Sequence, residues 1–412
     1  MYYNYGNGEV IDWREHTAPN ISLPAQFKQA GYRVFGAGKV FHGGTIFPEE
    51  WTDYSFSDED LLNGRGGEQT DGLLKPRKAG LRDEDFHDYH VTNWCEDKIS
   101  ETGEGPFFLA CGLYKPHLSF SVPDRFHERF AADQVALPPF RPDDHEDIPQ
   151  VARQRMFYGD FQKTVLSGRW GEVVSNYLAA INYTDENIGR LIQKLRDTGQ
   201  YDNTIIIVFG DHGWHLGEKG QFRKFTLWEE GTRTPFVWRV PGVTPAGSRV
   251  EAPVDLMSLY PTLIELLDLP RPDHVEGLSV TPLLSDPAAP WDQPALTTFG
   301  PGNNAVRMGP YRLIQYSDGS REFYDHESDP FEWDNLAGQA DVAAMERELA
   351  QFLPTSQVDP VAKMTFKTPQ GRIEKLLNRQ VSLFNLIALG ALLLALAVGA
   401  AGVWLFVRPA KN

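Results

Sequence analysis

An α/β fold is predicted for this chain, with a mostly parallel sheet sandwiched by helices. Three observations predict it. Short, wholly apolar runs such as "FFLACGLY" and "TIIIVF" alternate with helical patterns. Runs that are apolar at every position suit strands buried on both faces, as in parallel sheets covered by helices. The runs also end in polar side chains of one kind: Lys39 with His42, Lys115 with His117, Asp211 with His212. In open α/β sheets, ligands bind beyond the carboxyl ends of strands.

The elements follow in order. "SLPAQFKQAGYRVFGAGKVFHGG" reads as helix, turn, strand, with Pro24 in a first turn and Gly31 at a C-terminal cap. The strand "YRVFGAG" runs into Lys39 and His42. "DFHDYHVTNWCEDKIS" is a helix, followed by a Gly-Pro break and the strand "FFLACGLY", which runs into "KPH". In "NYLAAINYTDENIGRLIQKLRDTGQ", Tyr177, Ile181, Ile188, Leu191, Ile192 and Leu195 recur at helical spacing and Gly199 follows the last turn. "TIIIVF" is the next strand, ending at Asp211 and His212. Past "LMSLYPTLIELLDL" the pattern changes to two β-like runs around Asp318-Gly319, a hairpin signal. The expected organisation is an α/β domain over 1–290, a small antiparallel subdomain over 291–340 and a polar linker over 341–380.

The last expected element is a transmembrane helix over 381–407. "VSLFNLIALGALLLALAVGAAGVWLFV" carries no charge and exceeds the roughly 20 apolar residues a bilayer core requires. Its glycines suit close helix packing in lipid, and Trp404 sits near one interface. The expectation is a single-pass, C-terminal membrane anchor. Lys367, Arg372, Lys375 and Arg379 precede it against Arg408 and Lys411 after it, which favours a cytoplasmic bulk. The start, "MYYNYGNGEVIDWREH", lacks the basic region and apolar core of a signal peptide.

Composition narrows the function. The formal net charge of -17 argues against nucleic acid, whose phosphates want a basic face. Anionic small substrates remain open, because a site can be locally basic on an acidic protein. Cys95 and Cys111, the two cysteines, are too few for a disulfide framework or zinc spacing and read as buried small hydrophobes.

The strand-end residues carry the chemistry. A carboxylate such as Asp211 can hold a hard divalent cation, and His212 can ligate or move protons. Asp211 is equally at home as a helix N-cap. Lys224 adds a positive charge within reach of the glycine-rich loop after His212. Lysines, histidines and an aspartate converging on one edge would bind a charged oxyanion. Lysine and metal would neutralise charge developing on transferred oxygens, and a histidine could protonate the leaving oxygen.

The motifs "GYRVFGAGKVFH", "PFFLACGLYKPH", "YLAAINYTDENIGRLIQKL", "IIIVFGDHGWHLGEKG", "RKFTLWEEGTRTPF" and "YDHESDPFEWDNL" occur in one order over roughly Pro24 to Leu336. Together they resemble the sulfatases of the alkaline-phosphatase superfamily, in the iduronate-sulfatase and choline-sulfatase-like branch. The resemblance implies a hydrolase of sulfate esters, acting on a small-molecule or carbohydrate sulfate. It implies that Asp211 and His212 are calcium ligands, that Lys39 and Lys115 bind sulfate and that Lys224 contacts the ester oxygen. It implies that His42 and His117 stabilise the nucleophile or protonate the leaving group.

One departure matters. The family's C-x-P-S-R or S-x-P-S-R motif, whose Cys or Ser becomes the nucleophilic formylglycine, is absent, as is the strand ending in paired aspartates before Lys39. "YYNYGNGEVIDWRE" resembles the segment just downstream of that nucleophile. The expectation is a sulfatase catalytic domain truncated at its N-terminus, with little or no activity and an incomplete Ca2+ site. Two other readings compete: a membrane-anchored, non-catalytic sulfatase-like binding protein, and a phosphatase or phosphonate hydrolase on the same scaffold.

Overall fold

Ser22 caps helix α1 (Leu23–Gln29), its hydroxyl accepting from the Ala25 N–H, and Pro24 stands in the first turn. Gly31 follows at φ 84°, the left-handed conformation that ends helices. The computed structural model describes residues 20–41, 46–56, 73–74, 80–103, 105–156 and 158–355.

Strand β1 (Arg33–Gly38) is followed by β2 (Asp53–Ser55), helix α2 (His87–Thr102) and β3 (Phe107–Gly112). They form a parallel sheet in the order β2-β1-β3, with Phe35 opposite Leu109 and Ala37 opposite Cys111. Helix α2 buries Val91 and Cys95 against Ala37, with Leu109 and Cys111 packed beside them. This corrects the reading of the cysteines as separate hydrophobes. Cys95 and Cys111 form a disulfide, their Cα atoms 6.5 Å apart. The turn after α2 returns β3 alongside the helix, and two apolar positions distant in sequence become neighbours.

Helix α3 (Tyr158–Leu166) precedes the long helix α4 (Trp170–Asp197). Helix α4 buries Val173, Ala179, Ala180 and Tyr183 in a core shared with Phe86, Phe120, Phe126 and Trp214. Of the positions read as its periodic face, Leu195 is buried whereas Ile181 is 42% exposed.

Strand β4 (Ile206–Phe209) differs from expectation in its pairing. It lies antiparallel to β7 (Phe236–Arg239), Ile207 opposite Trp238. The small hairpin of β5 (His215–Leu216) and β6 (Phe222–Arg223) lies between them in sequence. Parallel pairing among the described residues is therefore confined to β2-β1-β3, and the expected mostly parallel sheet is corrected to a parallel piece and an antiparallel pair. Among the described residues, β3 and β4 each have one edge without a strand neighbour. Every residue of β3 is partly exposed, and Phe209 of β4 is 49% exposed. An apolar run records that a strand is meant for burial but says nothing of which strand lies beside it. Helices still cover both pieces in one cluster: Leu23 and Phe27 of α1, and Leu259 and Leu263 of helix α5 (Leu259–Leu266), pack with Phe108, Ala110, Ile207 and Trp238.

The C-terminal sheet is antiparallel, in the order β11-β10-β9-β8: β8 (Ala295–Thr298), β9 (Asn304–Met308), β10 (Tyr311–Gln315) and β11 (Arg321–Asp325). Gly319 turns the β10–β11 hairpin at φ 86°. The segment from Asp341, expected as a polar linker, opens instead with helix α6 (Ala343–Ala350). Leu349 of α6 is buried against Val306, Leu313 and Phe323. Leu349 and Met345 lie four apart and share a helix face, which a reading by average polarity overlooks.

The membrane anchor is also corrected. No helix among the described residues is long and apolar enough to cross a membrane, and the segment 381–407 on which the expectation rested lies outside them.

Candidate active site

Two glycines bring the first strand ends together. Gly38 (φ 73°) and Gly112 close β1 and β3, and the Lys39 N–H donates to the Gly112 carbonyl at 2.7 Å. A Cβ on Gly112 would run into the Lys39 backbone. Close approach of the two chains therefore requires glycine there. Lys39 leaves from β1 and the turn Tyr114–His117 leaves from β3.

Asp88 on α2 fixes that turn. Its carboxylate accepts from the N–H groups of Tyr114 (2.7 Å) and Lys115 (2.9 Å) while only 2% exposed. Burial pushes the Asp88 carboxyl up, against those donors and the charge of Lys115. Lys115 itself is 4% exposed and its Nζ donates to the Ser119 carbonyl. The Tyr114 ring stands between Lys39 (5.4 Å), Lys115 (5.7 Å) and the His117 ring (4.9 Å).

The second strand end meets the first. Asp211, after β4, places Oδ2 3.7 Å from the Lys39 ammonium, with its side chain 68% exposed. His212 packs its ring 6.3 Å from Trp214, which also lies 5.8 Å from the His117 ring. The Lys224 Nζ lies 2.7 Å from His212 Nε2, and His212 Nδ1 lies 2.8 Å from the Gly213 carbonyl. An ammonium can only donate, so Nε2 accepts and Nδ1–H donates. The structure therefore brings Lys39, Lys115, His117, Asp211, His212 and Lys224 together. His42 lies outside the described residues.

Charge in the site is positive on an acidic protein. Two ammonium groups, those of Lys39 and Lys224, act on the carboxylate of Asp211. Burial is the largest cause that lowers His117, to about 3, and Lys224, Lys39 and His212 push the same way. His212 is lowered too, chiefly by burial, with Asp211 opposing. Burial alone would raise Asp211, but His212, Lys39 and Lys224 outweigh it and hold the carboxyl low. Both imidazoles are thus neutral near pH 7. A bound anion would relieve the like-charge crowding.

Among the described residues, the side chains at the end of β4 do not by themselves complete a divalent-metal site. At the end of β4, one carboxylate is flanked by Lys39, and both ring nitrogens of His212 are engaged. Calcium takes roughly six to eight oxygens. A second acidic group, Glu229, His326 and Glu332, has its ligand atoms within 4.8 Å of one another. There Arg312 already bridges the two carboxylates, its Nε 2.7 Å from Glu332 and its terminal nitrogen on Glu229. That guanidinium occupies the place of a cation.

Sequence reasoning missed Asp88, Trp214 and the Arg223–Asp160 pair, in which Arg223 Nε donates to Asp160 Oδ2 at 2.6 Å. Each acts across elements far apart in sequence. Trp214 lay within a quoted motif, and its place two residues after His212 was the one available signal.

An α/β scaffold whose strand ends gather lysines, histidines and an aspartate points to the class: hydrolases of the alkaline-phosphatase type. Within it the chain belongs to the sulfatase family, enzymes that hydrolyse sulfuric esters. The Sulfatase family profile matches residues 1–269, and that of the N-sulphoglucosamine sulphohydrolase C-terminal region matches 217–359. The chain is 33% identical to a sulfatase of Formosa agariphila over 380 residues, 86% of this chain and 74% of that one. It is 30% identical to the iduronate 2-sulfatase of Mus musculus over 63% of this chain and 56% of that protein. It thus spans about three-quarters of the first relative and little over half of the second. The fold resembles a structure solved with its substrate D-glucosamine-2-N,6-O-disulfate, at TM-score 0.66 and 21% identity over 82% of this chain and 81% of that one. It also resembles the phosphonate monoester hydrolase of Silicibacter pomeroyi, at TM-score 0.67 and 21% identity over 82% and 79%.

Proposed function

We propose that the strand-end site binds the sulfate group of a sulfated carbohydrate. Lys39, Lys115 and Lys224 hold the sulfate oxygens, and His117 faces the bridging oxygen. The observation that carries this is three lysines converging from separate elements with one nearby carboxylate to balance them. The relatives that are sugar sulfatases, iduronate 2-sulfatase and N-acetylglucosamine-6-O-sulfatase, support a carbohydrate sulfate.

The family reaction, as the resemblance implies it, is attack of a formylglycine hydrate on sulfur with cleavage of the S–O bond. In that step the lysines stabilise charge spreading over the sulfate oxygens. A proton on His117 Nε2 would neutralise the departing alkoxide. Burial keeps His117 neutral near pH 7, and a bound anion is what would raise its affinity for that proton. His42 is assigned to the same proton and nucleophile chemistry on the resemblance alone. Asp211 and His212, which the resemblance assigns to the metal, offer one carboxylate and one engaged imidazole, so weak Ca2+ affinity is expected of them.

The 412-residue sequence contains no motif for the nucleophile, so sulfate binding should outlast turnover. Titration calorimetry of the purified chain with glucosamine 6-sulfate tests this. Lys224→Ala should weaken binding about tenfold, ~1.4 kcal/mol. Turnover of an aryl sulfate should be near background. Turnover that Lys224→Ala removes would overturn the low-activity reading, and unchanged affinity in that variant would overturn the site.

A further inference from the structure

Lys224 sits between two residues in an unusual backbone conformation. Arg223 has φ 74° and Phe225 has φ 75°, both in the left-handed region that residues with a Cβ rarely adopt. Such a conformation persists only when its surroundings impose it. Here two anchors from separate elements do so. Arg223 Nε donates to Asp160 Oδ2 on α3 at 2.6 Å, with both side chains only partly exposed. Phe222, fully buried, packs its ring 6.2 Å from Phe161 of the same helix. On the other side the Phe225 ring lies 5.8 Å from Phe299, just after β8. Between the anchors, the Lys224 side chain reaches back to His212 Nε2.

Without Asp160, Arg223 loses its side-chain tie to α3 and keeps only the pairing with His215 and the neighbouring Phe222–Phe161 packing. The chain could then relax toward negative φ at Arg223. Relaxation there would rotate the next peptide and swing Lys224 away from His212. A charged side chain that must meet an anion cannot tolerate such movement, because a displacement of about 1 Å already costs much of the benefit of orientation. We infer that Asp160 is a positioning residue: through Arg223 it holds the left-handed turn that aims Lys224 into the site. This rests on the reading of that site as a sulfate site, and the experiment separates the two.

The test exploits glycine, which adopts φ near 74° without help. The first readout is the side-chain 15N signal of His212 Nε2, which reports the Lys224 hydrogen bond. The second is the affinity for inorganic sulfate. Lys224→Ala sets the benchmark for both, and thermal melts identify any variant that fails to fold. Asp160→Asn and Arg223→Ala should shift the His212 signal toward the Lys224→Ala position and weaken sulfate binding about three- to tenfold. Arg223→Gly should keep both within about twofold of wild type, and adding Asp160→Asn to it should change nothing further. A wild-type His212 signal in Asp160→Asn, or an Arg223→Gly as impaired as Arg223→Ala, would overturn the proposal. Should Lys224→Ala leave sulfate affinity unchanged, the sulfate reading falls, while the His212 signal still decides the role of Asp160.

Discussion

Glu218 shows how far burial can move a single group. Its carboxylate accepts from the Leu216 N–H at 2.7 Å, yet burial lifts it to about 7. A carboxyl raised in the fold binds its proton more tightly there than in the unfolded chain. The folded state therefore holds more protons between about 4.5 and about 7, and stability from this group falls as pH rises through that window. Glu218→Gln should raise the melting temperature at pH 8 and change it little at pH 4.5. A shift of equal size at both values would contradict this. Lys39, Lys115, His117, Asp211 and His212 could be singled out at this scale because each follows an apolar run and carries a charge or imidazole, whereas Lys224 follows no such run. Asp88 and Asp160 were not. One is an acid within a helix and the other an acid beside a glycine, and neither position announces a partner 27 or 63 residues away.

At the scale of elements, the turn after β3 depends on α2. Asp88 satisfies two backbone donors, one of them on a fully sequestered lysine. Removing an acceptor from buried donors costs about 1–3 kcal/mol. Asp88→Ala should lower stability by about 2–4 kcal/mol, read by denaturant unfolding, and weaken anion binding through Lys115 in the same variant. A loss below about 0.5 kcal/mol would show that water replaces the carboxylate. Helix α4 was visible from its period and α1 from its cap and proline. The antiparallel partner of β4 was not, because "FVWR" and "IIVF" carry no sign of direction. Pairing comes from long-range packing, which a local pattern does not encode.

For the whole molecule, a buried ionic knot ties the C-terminal sheet to the helical turn Glu229–Thr232. Arg312 on β10 joins Glu229 and Glu332, and His326 Nε2 lies 3.0 Å from Glu332. Burial alone would raise Glu332, but Arg312, His326 and Lys219 outweigh it and hold it near 2, below its ordinary 4.5. A depressed carboxyl contributes stability that is present above about 4.5 and is lost as pH falls toward about 2. Glu332→Gln should cost about 3–5 kcal/mol at pH 7, because Arg312 keeps its charge without that partner. It should also flatten acid unfolding between those two values. A wild-type acid profile would rule the knot out as its source.

Firmness is distributed unevenly over this fold. In the C-terminal sheet, Val306, Leu313, Ile314, Phe323 and Tyr324 are fully enclosed, whereas β3 is accessible along its whole length and Phe209 of β4 stands half exposed. Local opening follows the least-buried backbone. The first cooperative unit to loosen is then the pair of strands that present Lys115, His117, Asp211 and His212, while the distal sheet stays intact. The lysines converge on this more accessible part of the scaffold, so an anion bound among them does more than occupy a site: it acts as a clasp across two strand ends, adding to the disulfide and the Asp88 hydrogen bonds that already hold the end of β3.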